Sequence, residues 1–156
     1  RLARELGVSE KRSARIKVAS LLHDLGKLGV DEKILFKKGK LDEREFEEIK
    51  KHPHWGSDAV KHLYFLKDII PIMADHHENF DGSGYPRGAR GTEIPAESRI
   101  LSIADAYEAL TADRPYRKGF SKKEALKILD DEKGRKLDPR MTDVFIKMIK
   151  EAGVKG

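Results

Sequence analysis

The sequence predicts an all-α protein, a bundle of about six to seven helices. Apolar residues recur at i, i+3 and i+4 along most of the chain, and helix-start signatures precede several of these stretches. No run alternates apolar and polar residues as a half-buried strand would. At 156 residues, with 38% hydrophobic and 38% charged content, the chain is long enough to bury one core and reads as one globular domain.

Residues 1–7 have helical spacing and end on Gly7, suited to a helix C-terminus. With neither an initiator Met nor an N-cap before Arg1, the chain is expected to begin inside a helix of a longer polypeptide. Ser9 caps a helix over 10–26 whose apolar stripe is Ile16, Ala19, Leu22 and Leu25. After a loop at Gly39-Lys40-Leu41, Asp42 and Glu45 form a capping box for a helix over 43–51, which Pro53 stops. Further helices are expected over 55–66, 69–78, 95–113, 121–133 and 139–151, the last with Asp138 as N-cap and Pro139 in its first position. Between 79 and 95, Gly82, Gly84, Gly88, Gly91, Pro86 and Pro95 mark a long loop, and loops of this length in compact domains are commonly functional.

Composition limits the chemistry. No stretch approaches the roughly 20 apolar residues of a membrane span and no signal peptide opens the chain, so a cytoplasmic protein without a membrane span is expected. There is no cysteine, hence no disulfide framework and no thiolate; a metal would be held by His, Asp and Glu, which favours Mn, Fe or Zn in a reactive site over a structural zinc cluster. The net charge of +5 is spread among interspersed acids and bases. That pattern is a solvated surface with a slight lean towards a phosphate-bearing ligand, and no DNA partner is expected.

The candidate ligands come in clusters. His23-Asp24 ends the first full helix: the pair can offer a nitrogen and a bridging carboxylate to metal, or form a hydrogen-bonded surface pair. Lys27, four residues on, shares the face of His23 if the helix continues through Gly26; it suits a phosphate or the helix macrodipole. Of His52 and His54, His52 is the inward candidate because Ile49 precedes it by three, while His62 reads as surface. His76-His77-Glu78 opens directly into Asp81-Gly82-Ser83-Gly84-Tyr85-Pro86, joining imidazoles to a loop able to wrap a ligand, with Gly82 and Gly84 supplying unusual backbone angles. Asp105 lies in an apolar helix, where an acid needs a metal or an ion pair, with Arg99 or Arg114 as the available partners. Arg114, Arg117 and Lys118 follow, and the arginine fork suits phosphate.

Taken in order, His23-Asp24 with Gly26-Lys27, His52-Pro53, His76-His77-Glu78, the Gly84-Tyr85-Pro86 loop, Ile94-Pro95, Arg99-Ile100, Asp105 and Arg114-Pro115-Tyr116-Arg117 resemble the HD-GYP family of cyclic di-GMP phosphodiesterases. The match runs from about residue 14 to 145; His-Asp alone would indicate only the wider HD phosphohydrolase superfamily. The resemblance implies an HD-domain helical bundle with a long Gly-rich Gly-Tyr-Pro loop, cut from a multidomain bacterial signalling protein. It implies that His23, Asp24, His52, His76, His77 and Asp105 hold two or three divalent metal ions, iron or manganese by family habit, with zinc, nickel or magnesium as substitutes. Asp24 would bridge two metals, a bridging hydroxide would attack phosphorus, and Lys27 would meet the scissile phosphate or the leaving 3′-oxygen. Tyr85 would face the substrate, Arg114, Arg117 and Lys118 would clamp phosphate, and Glu78 and Asp81 would brace the site. The product would be linear pGpG, GMP or both.

A non-catalytic nucleotide-binding or GGDEF-interacting module is the alternative, and an HD phosphohydrolase with another nucleotide substrate is a third reading. GGDEF-domain proteins are the partners the family suggests, and an apolar face on the first helix could pair two copies. The family's further ligand precedes the position of Arg1, Asn79 stands where arginine is common, and Ala89 replaces a leucine.

Overall fold

The computed structural model describes residues 1–113 and 118–152. Helices α1 (Leu2–Glu5), α2 (Glu10–Leu22), α3 (Glu32–Leu35), α4 (Glu43–Ile49), α5 (His52–Val60), α6 (Ile70–Ala74), α7 (Ala96–Thr111), α8 (Lys122–Asp131) and α9 (Pro139–Ala152) make up the bundle, and no strand forms among the described residues. The all-α expectation holds. None of these helices is long and apolar enough to cross a membrane.

Most helix starts follow the capping chemistry. Asp42 and Glu45 cap α4 reciprocally, and Ser121 with Glu124 does the same for α8. Asp138 accepts the Met141 N–H at 3.0 Å ahead of Pro139, which opens α9. The short α3, which the sequence pattern does not signal, is capped by Asp31 through the Lys33 N–H at 2.8 Å.

The helix ends near the loops differ from expectation. α2 stops at Leu22, and the chain turns through a 3-10 segment, Leu25–Gly29, instead of continuing to residue 26. The reason is Gly26: a Cβ there would lie 1.9 Å from the His52 carbonyl oxygen and 2.5 Å from the Gly56 nitrogen. The 3-10 turn packs backbone to backbone on α5, which only glycine permits. Pro53 does not stop α4, which ends at Ile49; it sits in the first turn of α5, where a missing N–H costs nothing. The segment expected as one helix over 55–66 breaks at Val60, with a 3-10 turn at Tyr64–Leu66. α6 ends at Ala74, so His76 and His77 leave the helix and sit in a turn, and Glu78 follows in irregular chain.

The core has two lobes, and α7 serves both. Ile100 and Ile103 pack with Leu2, Ile16, Leu126, Leu129 and Phe145, while Leu101 packs with Ala19, Val60, Ile69, Ile72 and Met73. Each of these side chains except Ala19 contributes about 1.5–3 kcal/mol by leaving water. With two faces of α7 committed to the lobes, Ser102 and Asp105 are left for the side facing the histidines; the Ser102 hydroxyl donates to the His76 carbonyl at 2.5 Å. Arg99 pairs with Asp138 at the start of α9. That contact joins α7 to α9 and takes Arg99 away from Asp105, one of the two pairings considered from sequence.

Candidate metal centre

Four short stretches bring their side chains into one cluster: the end of α2 with its following turn, the start of α5, the turn after α6, and the middle of α7. His23 is the C-cap of α2 and Asp24 begins the 3-10 turn. The Gly26–Gly56 approach brings that turn against α5, so the Asp24 carboxylate faces both neighbours: Oδ1 lies 3.5 Å from His52 Nε2 and Oδ2 lies 3.7 Å from His23 Nε2. Asp105 reaches in from α7, its Oδ1 3.5 Å from His23 Nε2. The imidazoles are mutually close, with ring centroids separated by 4.9 Å for His23 and His76, 5.4 Å for His52 and His76, 5.0 Å for His52 and His77, and 4.0 Å for His76 and His77.

Three of the histidines are oriented by one device. His23 Nδ1 lies 3.0 Å from the Ser20 carbonyl, His52 Nδ1 lies 2.7 Å from that of Ile49, and His76 Nδ1 lies 2.6 Å from that of Met73. Each partner is the carbonyl three residues back. A carbonyl only accepts, so Nδ1 carries the hydrogen; in His52 and His76 this leaves Nε2 with its lone pair, whereas His23 Nε2 faces the carboxylates of Asp24 and Asp105. The Nε2 atoms of His52 and His76 are buried with no hydrogen-bond partner among the described residues. Leaving a buried polar atom unsatisfied costs about 1–3 kcal/mol, and a cation is the natural partner for several lone pairs aimed at one space. Donor atoms of His52, His76 and His77 lie within 4.8 Å of one another, as do those of His23, Asp24 and His76. The two groups share His76. A neutral imidazole and carboxylate set of this kind, without thiolate, fits a divalent transition metal.

The electrostatics agree. Burial first, then the charges of neighbouring imidazoles, pushes His76 down to about 4 and His77 down to about 2, so both stay neutral and keep lone pairs for a cation. Burial likewise lowers His52. His23 is raised, chiefly by its hydrogen bond to Asp105. Burial works to raise Asp105, but the hydrogen bond and charge of His23, with the other imidazoles, hold it below the usual carboxylate range.

The remaining candidates distribute around this cluster. Lys27 Nζ donates to Asp24 Oδ2 at 2.7 Å, reached through the 3-10 turn rather than along a continued helix. Tyr85 stacks beside His77 at 4.9 Å between centroids. Burial, then the charges of Asp24 and Asp105, pushes its phenol up to about 12, leaving a protonated donor at the rim of the cluster. Glu78 is buried and accepts the backbone N–H groups of Arg87 at 2.6 Å and Ala89 at 2.9 Å, so it braces the loop from within. Asp81 accepts the Ser83 N–H at 2.9 Å and braces only its own turn. Gly82 has φ 86°, the unusual angle expected. Gly84 does not; it is needed for space, because a Cβ would lie 2.2 Å from the Asn79 nitrogen. Lys118 is exposed, and Arg114 and Arg117 lie outside the described residues. His54 and His62 are exposed and stand apart.

Two neighbours of the site were not picked out from sequence. Phe46 of α4 meets Tyr85 edge to face at 6.4 Å, and Lys50 Nζ lies 5.0 Å from the Phe46 ring centre and 5.7 Å from that of Tyr85. Their i, i+4 spacing was legible, but in sequence Phe46 resembles a core residue of an amphipathic helix. Its 46% exposure shows otherwise.

Comparison with known proteins accords with this geometry. The model of the family described as "HD domain" matches residues 1–141. The chain is 38% identical over 148 residues to the cyclic di-GMP phosphodiesterase response regulator RpfG of Xanthomonas campestris pv. campestris, covering 94% of this chain and 39% of that protein. It is 40% identical over 138 residues to the 3'3'-cGAMP-specific phosphodiesterase 3 of Vibrio cholerae, covering 88% and 30% respectively. Among solved structures, Bd1817, an HDG"Y"P protein of Bdellovibrio bacteriovorus, superposes with a TM-score of 0.76 at 25% identity, covering 96% of this chain and 48% of that one. The chain thus spans less than half the length of these relatives.

Proposed function

The chain belongs to the HD domain family, in its HD-GYP branch, and from that premise we propose that it hydrolyses cyclic di-GMP in a metal-dependent phosphodiesterase reaction. The observation that carries this reading is the set of inward, carbonyl-oriented histidines, of which His52 and His76 have buried Nε2 atoms without a hydrogen-bond partner among the described residues, gathered with Asp24 beside His52 and Asp105 beside His23. His23, Asp24, His52, His76, His77 and Asp105 would hold the metals, with iron or manganese matched to the nitrogen and carboxylate donors. When bound, such metals neutralise phosphate charge and make water acidic enough to supply a nucleophile near neutral pH.

The chain's own residues do the rest. Asp24 presents one oxygen towards His52 and the other towards His23, which suits a carboxylate shared between two cations. The Nδ1–H to carbonyl bonds hold the rings in orientation, so the donors need little reorganisation when metal or substrate arrives. Lys27, paired with Asp24, would pass its ammonium to a phosphate oxygen or to the leaving 3′-oxygen. Tyr85 offers a phenolic hydrogen from the rim. Arg114, Arg117 and Lys118 complete the proposal as a phosphate clamp. Glu78 holds the loop that carries Tyr85.

That relatives sharing 35–40% identity are named phosphodiesterases favours the enzyme over a non-catalytic module. Incubation of the Mn(II)- or Fe(II)-loaded chain with cyclic di-GMP, followed by chromatography, tests the reading: linear pGpG or GMP is expected, and intact cyclic dinucleotide with metal bound would refute it.

A further inference from the structure

We infer that Phe46, held in a corner with Tyr85 and Lys50, is the wall against which one purine base of the substrate packs; the inference rests on the phosphodiesterase reading. A ribose separates a base from its phosphate, so when the phosphate lies among the histidines the base must lie outside them. The rim on that side is aromatic. Tyr85 stands beside His77, and Phe46 is the next ring out, at 4.9 and 6.4 Å between successive centroids. Phe46 leaves nearly half its surface in water although it is a large apolar ring packed beside Tyr85, 46% exposed. Bases stack on such rings whatever their sequence identity, because every base has a π-face.

The corner is built on one helix face. Phe46 and Lys50 share one face of α4 at i, i+4. Lys50 Nζ bonds Glu47 Oε1 at 2.6 Å, which keeps the ammonium over both rings. Ile49, between them, supplies the carbonyl that orients His52. The helix end that sets a proposed metal ligand therefore also sets the aromatic wall, fixing the distance between phosphate site and base site. Lys37 adds a tie from the loop before α4 by bonding Glu45 at 2.6 Å.

Stacking lost from ground state and transition state alike raises KM and spares kcat. On the metal-loaded chain, Phe46→Ala is expected to raise KM for cyclic di-GMP about tenfold with kcat within about twofold, and Phe46→Tyr to restore KM to within about twofold of the parent. An unchanged KM in Phe46→Ala, a loss confined to kcat, or a Phe46→Tyr variant as impaired as the alanine variant overturns the inference. A parent chain that leaves cyclic di-GMP intact overturns the functional reading instead. Equilibrium binding of cyclic di-GMP then decides the inference: binding about tenfold weaker in Phe46→Ala supports it, and equal binding overturns it.

Discussion

Replacing Gly26 by alanine probes how the site is assembled. The added Cβ would sit 1.9 Å from the His52 carbonyl oxygen, whereas ordinary contact begins at 3.4 Å, so the turn and α5 must separate by about 1.5 Å. Both obstacles, the His52 carbonyl and the Gly56 nitrogen, are backbone, and neither can rotate aside. Overpacking of this kind costs about 1–3 kcal/mol, a fall in Tm of about 2–12 °C for a chain of this size. Function should suffer more, because the turn carries His23 and Asp24 and α5 carries His52; misplacing reacting groups by about 1 Å can cost on the order of 10²-fold. Thermal unfolding, metal analysis and cyclic di-GMP turnover on the same preparation read all three effects. Gly29→Ala is the comparison: its Cβ meets the Trp55 ring at 2.9 Å, a side chain rather than backbone, and a smaller loss than that of Gly26→Ala is expected. A Gly26→Ala chain with parental Tm, metal content and turnover would refute the assembly described above.

Other perturbations separate bracing from chemistry. Glu78→Ala orphans the Arg87 and Ala89 N–H groups and should destabilise by about 1–3 kcal/mol for each that stays buried, measurable by urea unfolding. His76→Ala removes the ligand common to both donor groups and should reduce bound metal towards zero by elemental analysis, while His77→Ala, in one group only, should leave about one metal per chain. Lys27→Met should lower kcat on the order of 10²-fold while metal content is retained, since it removes a charge at the phosphate rather than a ligand. Chelation should lower the Tm, because a metal bound only by the folded chain stabilises it by mass action, and Mn(II) should restore it.

Caps read from the sequence placed helix starts: Asp42 with Glu45 and Asp138 with Pro139 mark them to the residue. It failed where tertiary contact overrides local preference. The residues 23–26 continue a helical pattern, and nothing local says that the Gly26 backbone must lie against α5. The pattern over 69–78 likewise overruns α6, because the turn at His76 is held from outside, by Ser102 of α7. The candidate ligands were legible as residue types in order, since the side chains able to hold a metal are few. Their supports were not. Carbonyl bonds to Nδ1, the pairing of Arg99 with Asp138, and the exposure of Phe46 depend on how helices meet, which the order of residues leaves open.

The central claim is metal-dependent cleavage of a cyclic dinucleotide. Its most direct measurement is chromatography of cyclic di-GMP incubated with the chain before and after Mn(II) loading, with bound metal measured in the same samples. The account predicts linear pGpG or GMP only in the loaded sample. Intact cyclic di-GMP beside a fully loaded histidine cluster would contradict it.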